Sequence, residues 1–137
     1  PKPKVNGLNF SFSGLKTAVL YFIQKNLKGN PNFIEENLND ICASLQYTLI
    51  GIVIDKLKKA SKETGIKQIA IGGGVSANSG IRKALKDGEH KFGWKTFVPK
   101  FEYCTDNAGM IGIVGYLKYL EKDFSDFNVM AKARLKI

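Results

Sequence analysis

The sequence predicts an α/β fold with a thin, mainly parallel sheet and flanking helices. Three observations carry that prediction. Short apolar segments of strand character alternate with longer segments of helical period. One of the apolar segments runs through three glycines straight into a helix. The composition is 44% hydrophobic and 24% charged, that of an ordinary folded chain rather than a disordered one.

The elements follow in chain order. Asn9-Phe10-Ser11-Phe12-Ser13 alternates apolar and polar residues, which predicts a short strand with one buried face, broken at Gly14. Leu15, Val19, Phe22 and Ile23 then share one helical face, and Gly29-Asn30-Pro31 ends that helix. The longest element is a helix over about 34–64. Leu38, Ile41, Leu45, Leu49 and Ile52 form its apolar stripe. Glu35 and Glu36 suit its positive start, Lys56, Lys58, Lys59 and Lys62 suit its negative end, and Gly65 stops it.

Residues 67–72 read as a second strand, entering Gly72-Gly73-Gly74. Ser76 or Asn78 can cap a helix running to about residue 85. Residues 95–98 read as a third strand, closed by Pro99. A last helix carries Met110, Ile111, Val114 and Leu117 to about residue 121. Its Gly109, Gly112 and Gly115 each cost about 1 kcal/mol of helix stability, so a strand, a helix or a ligand is expected close to that stripe. Residues 124–137 read as irregular or as a final short strand. Three strands make a thin sheet, and one or two more are expected from outside this sequence.

A length of 137 residues suits a single domain over 1–137, small for an enzyme that encloses a nucleotide. The sequence starts at Pro1 rather than Met and reads as cut or processed. No apolar run approaches the ~20 residues of a membrane span, and no signal peptide is visible. Cys42 and Cys104 are far apart with no CxxC spacing, which fits a reducing, cytoplasmic setting.

The net charge is +9, and residues 41–100 alone carry eleven basic and four acidic groups. Nineteen of the 21 basic residues are Lys. Lysine is a point charge suited to unspecific attraction to phosphate, so the excess reads either as a solvated surface or as a phosphate-attracting face.

Three segments are candidates for chemistry. Ile69-Ala70-Ile71-Gly72-Gly73-Gly74-Val75-Ser76-Ala77-Asn78 joins strand to helix through glycines that leave room for a ligand, at a helix start that favours an anion. It is neither a P-loop nor a GxGxxG fingerprint. Asp106, in Cys104-Thr105-Asp106-Asn107, is a helix cap or a hard oxygen ligand for a metal. Ser13, Lys16 and Thr17 cluster at a predicted strand-to-helix junction, with roles the sequence leaves open. His90 is the only histidine, so a histidine cluster or a Ser/His/Asp arrangement is excluded within this sequence.

Together, Ser11-Phe12-Ser13-Gly14-Leu15-Lys16-Thr17, Gly72-Gly73-Gly74-Val75-Ser76-Ala77-Asn78 and Tyr103-Cys104-Thr105-Asp106-Asn107 resemble the C-terminal part of the tRNA threonylcarbamoyladenosine transferases of TsaD type, formerly called O-sialoglycoprotein endopeptidases or glycoproteases. The resemblance covers essentially all 137 residues. It implies a partial RNase H-like lobe of the actin, Hsp70 and sugar-kinase superfamily, with nucleotide in a cleft between two lobes. It implies transfer of threonylcarbamoyl from threonylcarbamoyl-AMP to the adenine next to the tRNA anticodon. Asp106 matches the family's metal-ligand aspartate, for one divalent ion, iron or zinc. Asn78 matches a contact to the acyl-adenylate, and Gly73 and Gly74 match the loop beside that nucleotide (threonylcarbamoyl-AMP or ATP). The implied partners are tRNA and accessory proteins of the pathway, including a paralogous actin-like subunit, with no membrane.

The sequence also departs from the family. The two metal-binding histidines lie in a His-x-x-x-His motif that is absent here. The reading is therefore a C-terminal lobe fragment, inactive alone. The alternative is a non-catalytic nucleotide- or partner-binding module of the same superfamily. A metal-dependent glycoprotease is disfavoured because no His-Glu-x-x-His occurs.

Overall fold

The structure, a computed structural model, describes residues 5–130. It divides into two compact units, Pro1–Cys104 and Thr105–Ile137. A strand in the last residues, and Arg134, would lie outside the described residues.

The first unit opens with helix α1, Phe12–Leu27. The strand predicted over 9–13 does not form. Ser11 instead caps α1, its Oγ accepting from the Gly14 amide at 3.1 Å. Two alternating turns of sequence cannot tell a strand from a capped helix entry, and the local hydrogen bond decides. Helix α2, Phe33–Thr64, matches its predicted bounds, and Gly65 ends it with φ 73°, a left-handed conformation that glycine adopts without a Cβ clash.

At about 1.5 Å per residue, α2 is roughly 48 Å long, far longer than the sheet it covers. Its apolar stripe therefore divides. Leu49, Ile50, Val53, Ile54 and Leu57 pack on the core. Ile41 and Leu45 face α1 instead, across a cavity of about 330 Å³ that Leu15, Val19 and Phe22 also line.

Strand β1 (Gln68–Ala70) and strand β2 (Lys95–Phe97) pair in parallel, Gln68 opposite Lys95 and Ala70 opposite Phe97. This is the sheet of the described residues: two strands, not three. Between them, helix α3 (Ser79–Phe92) runs further than predicted, to the left-handed Gly93. The buried core is Ile69, Ile81, Leu85 and Trp94, with Leu85 fully enclosed.

Trp94 ties the core together. Its ring lies 4.9 Å from that of Phe92, its indole N–H donates to Ser61 Oγ of α2 at 3.2 Å, and it packs directly over Gly88 of α3. Glu89 then fastens α3 to β2. One carboxylate oxygen accepts from the Thr96 amide at 3.1 Å and hydroxyl at 2.5 Å, and the other accepts from Lys86 at 2.5 Å.

The second unit is led by helix α4, Ala108–Leu120. A Cβ on Gly112 or Gly115 would meet nothing within 4 Å, whereas one on Gly109 would lie 3.0 Å from Asn107 Oδ1. Residues 124–130 are irregular. No described helix is long and apolar enough to cross a membrane.

Gly88→Ala tests the Trp94 contact. In a helix interior this change ordinarily gains about 1 kcal/mol. Here the new Cβ would sit 2.5 Å and 2.7 Å from two Trp94 ring carbons. Overpacking costs about 1–3 kcal/mol, so a net loss of about 1 kcal/mol is expected, read as a Tm lower by several degrees. A higher Tm would show that Trp94 yields freely.

The Lys86 ammonium, then the Thr96 hydroxyl and amide, hold the Glu89 carboxyl down at about 2, from an ordinary 4.5. A depressed folded value means stability that is present above pH 4.5 and lost as pH falls towards 2. Glu89→Gln should remove that part of the acid-side decline, measured as denaturation midpoints at pH 7, 4 and 3. An unchanged pH profile would dismiss the clamp.

Candidate functional site

Strand β1 points its carboxyl end into the glycine loop, where open α/β sheets hold their ligands. Gly73 has φ 74° and ψ 177°, a backbone state closed to side chains, so this position requires glycine. Added Cβ atoms at Gly72, Gly73 or Gly74 would meet nothing within 4 Å, so the loop has open space beside it. Residues Gly74–Ala77 then form a 3-10 turn. Ser76 is buried beneath it, its hydroxyl donating to the Gly73 carbonyl at 2.7 Å. Ser76 is thus the loop's internal brace, and the cap is Asn78. The Asn78 Oδ1 accepts from the Ile81 amide at 3.0 Å. Its Nδ2 has no hydrogen-bond partner among the described residues and remains a donor for a ligand.

Arg82, which no sequence motif singles out, holds this loop in place. Its Nε donates to the Ser76 carbonyl at 2.6 Å, and its Nη2 donates to the Pro99 carbonyl at 2.7 Å and to Cys104 Sγ at 3.0 Å. The guanidinium also lies 6.0 Å from the Phe101 ring centre. The planar guanidinium fork holds these donors in fixed directions, which a lysine ammonium does not. The available signal was its identity: one of two arginines in a chain of nineteen lysines. Cys104 is 1% exposed and forms no disulfide, so its role here is packing beneath that fork.

In the second unit, Asn107, not Asp106, caps α4, its Oδ1 accepting from the Met110 amide at 3.2 Å. The cap reading of Asp106 therefore falls away. Its carboxylate is exposed and has no hydrogen-bond partner among the described residues, which suits a hard oxygen donor to a cation. No three His, Cys, Asp or Glu groups gather into a metal site among the described residues.

Ser13, Lys16 and Thr17 lie exposed on the first turns of α1. The Thr17 hydroxyl donates back to the Ser13 carbonyl at 3.0 Å, an ordinary helical bond. No hydrogen bond joins them to the glycine loop among the described residues. His90 is exposed in the last turn of α3.

Comparison with known proteins gives the same direction. The family described as "TsaD: tRNA N6-adenosine threonylcarbamoyltransferase" matches residues 1–113. A protein of that name from Christiangramia forsetii is 74% identical over 136 residues, which cover 99% of this chain and 40% of that protein. The namesake from Riemerella anatipestifer is 54% identical over 136 residues, again 99% and 40% of the two chains. That from Thermosipho africanus is 41% identical over 141 residues, covering 100% of this chain and 41% of its own. The chain spans about 40% of the length of the curated relatives it matches. It belongs to the TsaD family of tRNA N6-adenosine threonylcarbamoyltransferases.

Proposed function

We propose that this sequence supplies one wall of the substrate cleft in a tRNA N6-adenosine threonylcarbamoyltransferase, as part of a single RNase H-like lobe of the actin-like superfamily. The observation that carries the reading is the open glycine loop at the end of β1, in a chain 74% identical to a relative bearing that name. The parallel β1–α3–β2 unit is compatible with such a lobe.

The chain's residues then divide the work. Gly72, Gly73 and Gly74 leave room for the acyl-adenylate, threonylcarbamoyl-AMP. Asn78 caps α3 with Oδ1 and offers Nδ2 to that ligand. Arg82 keeps the loop in register through the Ser76 carbonyl. Asp106 offers a carboxylate oxygen to a divalent ion, iron or zinc, whose remaining ligands come from outside this sequence. Such an ion, when bound, holds and polarises the substrate as a Lewis acid. In the transfer, the adenine N6 attacks the carbamoyl carbon, the bond from that carbon to the AMP oxygen breaks, and N6 gives up one proton. Reducing conditions in the cytosol fit the two free cysteines.

Asp106→Ala in the full-length protein should lower bound metal and threonylcarbamoyl transfer to tRNA together, activity by a hundredfold or more. Metal analysis beside the transfer assay reads both. Unchanged metal stoichiometry would take Asp106 out of the site. Transfer by this 137-residue chain alone would overturn its dependence on the rest of the enzyme.

A further inference from the structure

The lysines that sequence counting spread over residues 41–100 are concentrated by the fold. Helix α2 ends where β1 begins, and α3 ends where β2 begins, so both helix ends meet the start of the sheet. The meeting is held by contacts. The Lys95 amide donates to the Lys67 carbonyl at 2.9 Å, Trp94 donates to Ser61, and the Lys58 ammonium sits 4.8 Å from the Phe92 ring centre. Exposed around this junction are Lys58, Lys59, Lys62, Lys67, Lys91 and Lys95. Asp55 and Glu63 answer Lys58 and Lys59 at 4.0 Å and 3.6 Å. Asp87, held by Lys83 at 3.0 Å, lies within electrostatic reach of Lys91. With that pair counted, seven ammonium groups against three carboxylates leave an excess of four positive charges. Lys56 is not among them, because it is committed to the carbonyls of Val5 and Gly7 at 2.8 Å and 2.6 Å.

Helix C-termini attract lysines on their own account, but only within the last turn. That explains Lys62 and Lys91. Lys58 and Lys59 have their carboxylates, and Lys58 and Lys95 lie over the Phe92 and Phe97 rings at 4.8 Å and 5.4 Å, but none of these contacts removes the net positive charge of the cluster.

The glycine loop lies at the other end of α3, whose 14 residues span about 21 Å. A mononucleotide held at one end cannot touch the other. A folded RNA can reach both. Lysine ammonium groups without arginine forks suit backbone phosphates, which position an RNA without reading its sequence.

We propose that the lysine cluster where α2 and α3 meet the start of the sheet is a docking surface for tRNA backbone phosphates. It rests on tRNA being the substrate, and it adds where on this chain the body of that RNA is held.

The test replaces Lys62, Lys67 and Lys91 with Gln in the full-length protein and measures tRNA affinity from 50 to 200 mM salt. Affinity at the low-salt end should fall about tenfold, and the log–log salt slope should become shallower by about 2–3. Affinity for threonylcarbamoyl-AMP should stay unchanged, and the matching triple Lys→Arg variant should keep its tRNA affinity. Unchanged tRNA affinity and slope would overturn the proposal. So would an equal loss of nucleotide affinity, or a loss confined to binding of phosphatidylglycerol vesicles. If the unsubstituted protein binds tRNA in this way yet transfers nothing, the transferase reading fails and the docking surface stands.

Discussion

Two strands of three residues each cannot hold themselves together in water, and everything else in the first unit answers that constraint. The answer centres on Trp94, immediately before β2. It fills the space over Gly88, fixes α3 beneath it and reaches α2 through Ser61. Burying an indole contributes several kcal/mol, more than the few ladder hydrogen bonds of so short a sheet. Because Gly88 has no side chain, α3 can come close enough for Leu85 and Ile81 to close over Ile69. The position of α3 then sets where its capped start, and with it the glycine loop, is held.

What the sequence made legible follows how local each signal is. Gly65 and Gly93 both end helices in the left-handed state that glycine adopts freely, but only the stop at Gly65 was read, and α3 runs about seven residues past its expected end. The Gly65 stop made the end of α2 readable. The cap of α3 was narrowed to Ser76 or Asn78, and three-dimensional context separated them: Ser76 turns inward to the Gly73 carbonyl and leaves Asn78 to cap. Asp106 and Asn107 are equally good caps on paper. The extended backbone of Asn107, φ −150°, puts it in the capping position and frees Asp106.

The misreadings share a cause. Alternation over residues 9–13 predicts a strand only if a partner strand lies alongside, and no local rule supplies one. Arg82 joins residues up to 22 positions apart, and no periodicity encodes such a link. Composition held one trace of it, an arginine where the chain otherwise uses lysine.

Charge and shape are allotted to opposite ends of one helix. At its start, α3 follows an open loop of glycines with no side chains beside it. At its end it meets six long ones. Screening makes this division effective. The Debye length is about 8 Å at physiological ionic strength, well short of the roughly 21 Å that separates the ends of α3. The lysine excess therefore contributes little to the field at the glycine loop. The loop must rely on what is adjacent to it: the backbone amides at the start of α3, which favour an anion, and the Asn78 amide. A ligand that uses both ends must itself be about 20 Å long or more. A small acyl donor falls short of that length, and a nucleic acid does not.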